Sequence, residues 1–169
     1  PVFASLQGHY RHAAVRLQSG AVLVTGGDCD CPPSVATFDT VDSYQYNTWA
    51  LKAHMLGARQ LHTATLLNDG RVLVTGGVGP GSVVWGSCEL YDPVANQWTA
   101  AAPFSARSEH TATLLLNGKV LVVGGFASGG PAAVPAQIYD PTSNVWTSAA
   151  PPPAVPYEHK ALRLPSGKV

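Results

Sequence analysis

Charge is scarce in this chain of 169 residues: Asp, Glu, Lys and Arg make up 12%, with ten acidic residues balancing ten basic ones. With no excess of either sign and no basic run, the sequence lacks the electrostatic footprint of a nucleic-acid partner or of an anionic membrane surface. Long apolar runs are missing too. No stretch approaches the roughly eighteen uninterrupted apolar residues of a spanning helix. The opening PVFASLQGHYRH lacks the charged-then-apolar layout of a signal peptide. Cysteine is limited to Cys29, Cys31 and Cys88, an odd number that fits neither a disulfide scaffold nor a paired zinc motif.

What the chain holds instead is apolar residues, glycine and proline. Hydrophobic residues reach 46%, enough for a substantial core and too many for a disordered chain. Seventeen glycines and fourteen prolines, spread along the length, predict many short elements and many turns, which is an all-β signature. Repetition gives it a period. RLQSGAVLVTGG from Arg16, LLNDGRVLVTGG from Leu66 and LLLNGKVLVVGG from Leu114 are versions of one phrase. The glycine pairs Gly26-Gly27, Gly76-Gly77 and Gly124-Gly125 recur after 50 and 48 residues. Trp49, Trp98 and Trp146 recur after 49 and 48, and His12, His62, His110 and His159 after 50, 48 and 49.

Each period reads as four strands. HTATLL from His62 alternates; NDG or LNG then makes a tight hairpin in which Gly70 or Gly118 supplies positive φ. RVLVTGG or KVLVVGG is a β-branched run expected to be buried on both faces. After a variable loop come SCELYDP or AQIYDP, whose Asp-Pro starts a turn, and then NQWTAAAP or NVWTSAAP, stopped by proline. A four-stranded unit of this size cannot bury both faces alone, so copies must stack, and radial stacking into a propeller leaves only short protected edges.

The glycine pair, the Tyr-Asp-Pro and the tryptophan, in that order, resemble the kelch repeat. HTATLLNDGRVLVTGG and ELYDPVANQWT are similar to bacterial kelch proteins in particular, and the resemblance covers nearly the whole chain. It implies an all-β, kelch-type β-propeller segment of three four-stranded antiparallel blades, at about 8–52, 58–102 and 106–150. The first hairpin of a fourth follows at about 156–169. The first copy departs from the pattern: VDSYQYNTW has no Asp-Pro, and Tyr44 stands five residues before Trp49, where Tyr91 and Tyr139 stand seven before theirs. Propellers close with about 4–8 blades. The expectation is therefore a piece of a longer propeller, with the remaining blades from the same longer chain or from other subunits.

The repeat markers read as structural. The glycine pairs mark close packing and backbone positions intolerant of Cβ, and the tryptophans fill the space between blades. The four histidines in step make a structural hydrogen bond in every blade, since a catalytic histidine need not appear four times. GGVGPG from Gly76 superficially resembles a dinucleotide loop, but SVVWGSCELYDP after it reads as strand, leaving no helix N-terminus for a pyrophosphate. DCDC, from Asp28 through Asp30 to Cys31, suits a local disulfide or one to Cys88, free thiols, or a metal. The loops after the glycine pairs, from Asp28, Val78 and Phe126, leave on one face and are where recognition is expected. Candidate binding residues there are Asp28, Asp30, Trp85 as an exposed aromatic outside the repeat, and Phe126. Arg59 and Arg107, at matching positions in the joining loops, suit a carboxylate anchor, a structural salt bridge or a carbonyl contact.

The resemblance implies a non-catalytic scaffold that binds a protein or glycan partner through that loop face, without cofactor or metal. Two alternatives stand beside it. One is part of a galactose-oxidase-like copper radical oxidase, or another kelch-fold sugar enzyme, with its site mostly in blades outside this chain. His9, Tyr10, Tyr157 and the cysteines supply the residue types, and only His9 and His54 fall outside the repeated histidine position, in different blades. The other is a structural module of an extracellular assembly. Low charge and the Cys-x-Cys lean toward a secreted, periplasmic or cell-surface setting.

Overall fold

The computed structural model describes residues 10–29, 36–128, 130–131, 135–150 and 159–169. They form three four-stranded antiparallel sheets. The first holds β1 (Ala13–Arg16), β2 (Val22–Thr25), β3 (Val41–Gln45) and β4 (Thr48–Leu51). The second holds β5 (Thr63–Leu66), β6 (Val72–Thr75), β7 (Cys88–Asp92) and β8 (Gln97–Ala101). The third holds β9 (Thr111–Leu114), β10 (Val120–Val123), β11 (Gln137–Asp140) and β12 (Val145–Ser148). Within every sheet the strands lie side by side in chain order. Among the described residues there is no α-helix, and so none long and apolar enough to cross a membrane.

The first strands lie innermost, with β5 touching β1 on one side and β9 on the other. A backbone chain ties them: Leu61 N–H donates to Arg11 O and Glu109 N–H donates to Leu61 O, both at 3.0 Å. Arg11, Leu61 and Glu109 adopt left-handed φ values of 55, 55 and 57° to do so. Each costs about 1–2 kcal/mol for a residue with a Cβ, offset by the sheet-to-sheet bonds.

Strand alternation then builds the core. Val72 and Val74 of β6 face the first sheet, packing with Tyr91 and Trp98 against Leu17, Leu23, Val41 and Met55. Leu73, between them in sequence, faces the third sheet and packs with Leu67, Cys88, Leu90 and Phe104 against Val120, Val122 and Tyr139. A period of two with both faces covered is why β6 is buried at every position.

The outer strands carry a latch. Trp98 Nε1–H donates to Ala53 O at 2.8 Å, while Asn96 Oδ1 accepts from Ala53 N–H at 3.0 Å and from Tyr91 OH at 2.8 Å. Both backbone polar groups of one residue just past the last strand of the preceding sheet are thus held. Trp146, Asn144 and Tyr139 repeat this on Ala102 at 2.8, 2.8 and 2.9 Å. In the first sheet the turn between the outer strands is two residues long. Tyr46 and Asn47 have φ of 49 and 62°, the signs of a type I′ hairpin, where the other sheets use a four-residue turn opened by Asp92 or Asp140.

Two expectations change in detail. The loops after the glycine pairs are partly laddered: Asp28–Cys29 pairs with Ala36–Thr37, Val78–Gly79 with Val83–Val84, and Phe126–Ala127 with Gly130–Pro131. The hairpin expected over 156–169 is present as its turn. Leu164 N–H donates to Lys168 O at 2.8 Å, matching Leu17 to Ala21 and Leu67 to Arg71, but no strand ladder forms among residues 159–169. Residues 156–158, and the expected first-blade start at residue 8, lie outside the described residues.

Candidate functional site

Each glycine pair sits where the next joining loop crosses the sheet. Gly76 and Gly77 have φ of 59 and 99°. A Cβ at Gly76 would run into the Arg107 carbonyl oxygen and come within 2.9 Å of the His110 ring, and one at Gly77 would meet Gln60 O at 2.5 Å. Gly77 N–H donates to Arg107 O at 2.9 Å, and Gly27 N–H to Arg59 O at 2.8 Å. Gly26 meets the Arg59 carbonyl and Gly125 the Ser108 carbonyl in the same way; Gly124 also has positive φ, at 68°.

That crossing turns the two arginines inward. Arg59 donates to Gly76 O and Ser87 O at 3.0 Å each, to Ser87 Oγ at 3.1 Å and to Glu89 Oε1 at 2.5 Å. Arg107 donates to Gly124 O at 3.3 Å, Pro135 O at 2.9 Å and Gln137 Oε1 at 2.8 Å. They are 1% and 0% exposed. Of the roles read from the sequence, the structural salt bridge and the carbonyl contact are the ones found, and the anchoring of a partner's carboxylate on the loop face is corrected: the carboxylate that Arg59 holds is the chain's own Glu89, and Arg107 holds carbonyls and an amide. Burial pulls Arg107 down to about 10, still a cation at neutral pH.

The repeated histidines join the same crossing. His62 Nε2 lies 2.8 Å from Thr25 Oγ1, His110 Nε2 2.8 Å from Thr75 Oγ1, and His159 Nε2 3.0 Å from Thr111 Oγ1. His12 packs its Cβ against Gly27. Burial, and then the neighbouring arginines, push His62 and His110 from 6.5 to about 3, so both are neutral. Between pH 3 and 6.5 the unfolded chain therefore binds more protons than the folded one. Stability is full above pH 6.5 and falls with acidification through that window, by up to ~1.4 kcal/mol per pH unit for each histidine. Urea titrations at pH 7, 6, 5 and 4 check this, and a His62→Gln/His110→Gln variant is expected to flatten the slope.

On the loop side, Trp85 is not the freely exposed aromatic expected from its place outside the repeat. It is half-buried, with its ring 5.0 Å from the Arg59 guanidinium and seated over Gly57 and Gly79, where any Cβ would strike it. Beside it opens a cleft of about 520 Å³ lined by Leu56, Val84, Trp85 and Ala100, with Arg59 and Glu89 beneath. Leu56 and nearby Val83 are 61% and 54% exposed.

The remaining candidates sit apart from this cleft. Asp28 is buried, its carboxylate 3.1 Å from Arg11 and its backbone paired with Tyr10, so it does not reach out to a partner. Phe126 is half-buried and pairs through its backbone with Ser108. Cys88 is a buried free thiol and not bonded to another cysteine, and burial pushes it up to about 12. Asp30, Cys31, His9 and Tyr157 lie outside the described residues. His54 pairs at the surface with Asp39 at 3.0 Å. Among the described residues no three His, Cys, Asp or Glu side chains are grouped to hold a metal.

Sequence reasoning passed over Glu89 and Gln137, the partners of the two arginines. The signal was available as a spacing: both lie 30 residues after their arginine. It also passed over Asn96 and Asn144, which sit in turns and read as turn formers.

Four-stranded sheets that stack with their first strands innermost, locked at a glycine crossing, define the blades of a β-propeller. Residues 106–153 match the family model of the Kelch motif, and the three sheets have the architecture of kelch-type propeller blades. A solved structure titled "Structure of YjhT" is similar, with a TM-score of 0.73 and 18% identity over 87% of this chain and 53% of that one. The chain thus spans about half the length of that structure, and at this identity the likeness is one of fold. No curated protein matches it.

Proposed function

We propose that this chain is part of a non-catalytic kelch propeller scaffold that binds a protein partner through the Trp85 cleft on its loop side. The observation that carries the reading is the cleft itself, an apolar hollow of about 520 Å³ with an aromatic ring fixed in place. A large ring held by Arg59, Gly57 and Gly79 loses little entropy on binding, as suits an interface anchor. Protein is favoured over glycan because the polar groups beneath, Arg59 and Glu89, are engaged with the chain and offer little to sugar hydroxyls. Placement outside the cytosol is part of the same proposal, resting on the low charge.

The remaining blades are also proposed. In the first blade Tyr44 OH donates to Asn47 Oδ1 at 2.9 Å, with Trp49 5.0 Å from the Tyr44 ring, so the latch is assembled. In the other two blades that same set grips the preceding blade. The first latch is read as a site for a further blade, from the same longer chain or another subunit.

Leu56→Arg/Val83→Glu tests the cleft, since both side chains are exposed and their loss should change stability by less than ~1 kcal/mol. A fraction of secreted and surface proteins and a glycan array are offered to the wild type and the variant. The expected result is a protein retained by the wild type and weakened by ~10-fold or more in the variant. Retention of the same protein by both, or a glycan hit at this cleft with no protein, would sink the reading.

A further inference from the structure

The repeat is broken on the side of the first blade that faces the second. At the hairpin ends between these blades a groove of about 600 Å³ opens beside Tyr91, whereas the matching groove between the second and third blades holds about 400 Å³. Three positions distinguish them. Opposite Leu23 of β2 stands Ser43, where the second blade pairs Leu73 with Leu90 and the third pairs Leu121 with Ile138. At the hairpin, Ala21 replaces Arg71 and Lys119. At the end of the third strand, Gln45 replaces Asp92 and Asp140.

Leu90 is buried in the core between the second and third blades. A serine at the matching place forfeits apolar burial and leaves a hollow, a change that costs stability in a packed interface. Packing therefore gives no reason for Ser43. Its neighbours make the hollow polar. The Lys52 ammonium has no partner among the described residues. Gln45 spends its Nε2 on Ser19 O at 3.0 Å and keeps its Oε1. Asp92 spends Oδ1 on the Val94 and Ala95 N–H groups and keeps Oδ2. Arg71 is held by Asp69 at 2.7 Å. Lys52 and Arg71 thus balance Asp69 and Asp92, so the groove carries no net charge, and Ala21 and Pro93 give it an aliphatic wall.

We infer that this groove binds a neutral saccharide. Its volume lies within the ~300–1,000 Å³ of small-ligand sites. Sugar hydroxyls are donors and acceptors at once: Gln45 Oε1 and Asp92 Oδ2 accept from them, Lys52 Nζ donates to them, and the ring C–H face meets Ala21 and Pro93. The site is separate from the Trp85 cleft and does not depend on any protein partner.

The repeat supplies its own control. Ser43→Leu restores the side chain of the second blade and fills the hollow, so it should keep or raise the melting temperature. Titration calorimetry with maltotriose, cellotriose and xylotriose is run on the wild type, Ser43→Leu and Lys52→Ala. One trisaccharide is expected to bind the wild type, ~10-fold or more weaker to Ser43→Leu and ~5-fold weaker to Lys52→Ala. Absence of heat with all three sugars overturns the proposal. So does unchanged binding in Ser43→Leu and Lys52→Ala, or binding lost only in Leu56→Arg/Val83→Glu, which would place the sugar at the loop-side cleft.

Discussion

Arg59→Met is expected to destabilise the chain by ~3–5 kcal/mol, because it leaves the Glu89 carboxylate buried without its cation. Glu89 is 2% exposed, and among the described residues its carboxylate otherwise accepts from the Leu56 N–H at 2.7 Å, so water cannot take over the charge. The loss also frees the Gly76 and Ser87 carbonyls that the guanidinium satisfies. Two further variants separate these contributions. Glu89→Gln should cost far less, about 1–2 kcal/mol, since the third blade places Gln137 against Arg107 at 2.8 Å and folds around that amide. Arg59→Met/Glu89→Leu should fall between, the stranded charge gone but the carbonyls still unsatisfied. Urea midpoints of the three variants decide the matter. If the double variant is as unstable as Arg59→Met alone, the arginine acts through the carbonyls and the ion pair adds little.

That pair also marks where reading the sequence stopped. The period, the four strands per unit and the glycine pairs were legible because each leaves a local signature, alternation or a residue without Cβ, and then repeats it. Tyr44 five residues before Trp49 was enough to foresee a shorter turn, and Tyr46 and Asn47 supply it as a type I′ hairpin. Arg59 and Arg107 were legible as matching positions suited to a salt bridge or a carbonyl contact, but neither their partners nor their depth was, since charges in loops usually meet solvent. What buries them is the crossing of a loop over the preceding glycine pair, about 30 residues back, which turns each side chain onto the following glycine pair, 17 residues on; no local pattern encodes either contact. Trp85 was legible as a departure from the repeat but not its seat, because Gly57 and Gly79 are unremarkable until the ring is seen above them. The two-residue arms after the glycine pairs are too short to leave an alternation at all. Ser43 differs again: VDSYQY against CELYDP shows the substitution in the sequence, but only the strand register reveals that it empties a packed interface.

The crossing makes a second large effect testable. Gly76→Ala is expected to cost ~2–5 kcal/mol, combining left-handed strain of ~1–2 with the overpacking of a methyl group into a filled space, ~1–3. Gly81→Ala is the control. Its φ of 72° is as unsuitable for alanine as the 59° of Gly76, yet nothing lies within 4 Å of its added Cβ. Strain is therefore common to both, and the difference in their urea midpoints isolates the contact with the Arg107 carbonyl. That carbonyl has little room to retreat. It accepts from Gly77 N–H at 2.9 Å, and the side chain of the same residue is fixed to Gly124, Pro135 and Gln137 in the third blade. Moving it would pull on the joint between two blades rather than on one loop. Equal costs for the two substitutions would mean that positive φ alone requires glycine there and that the crossing is looser than its hydrogen bonds imply. A cost at Gly76 larger by ~1–3 kcal/mol would assign the glycine pair its physical role, as the gap through which each joining loop reaches back to lock its blade onto the one before.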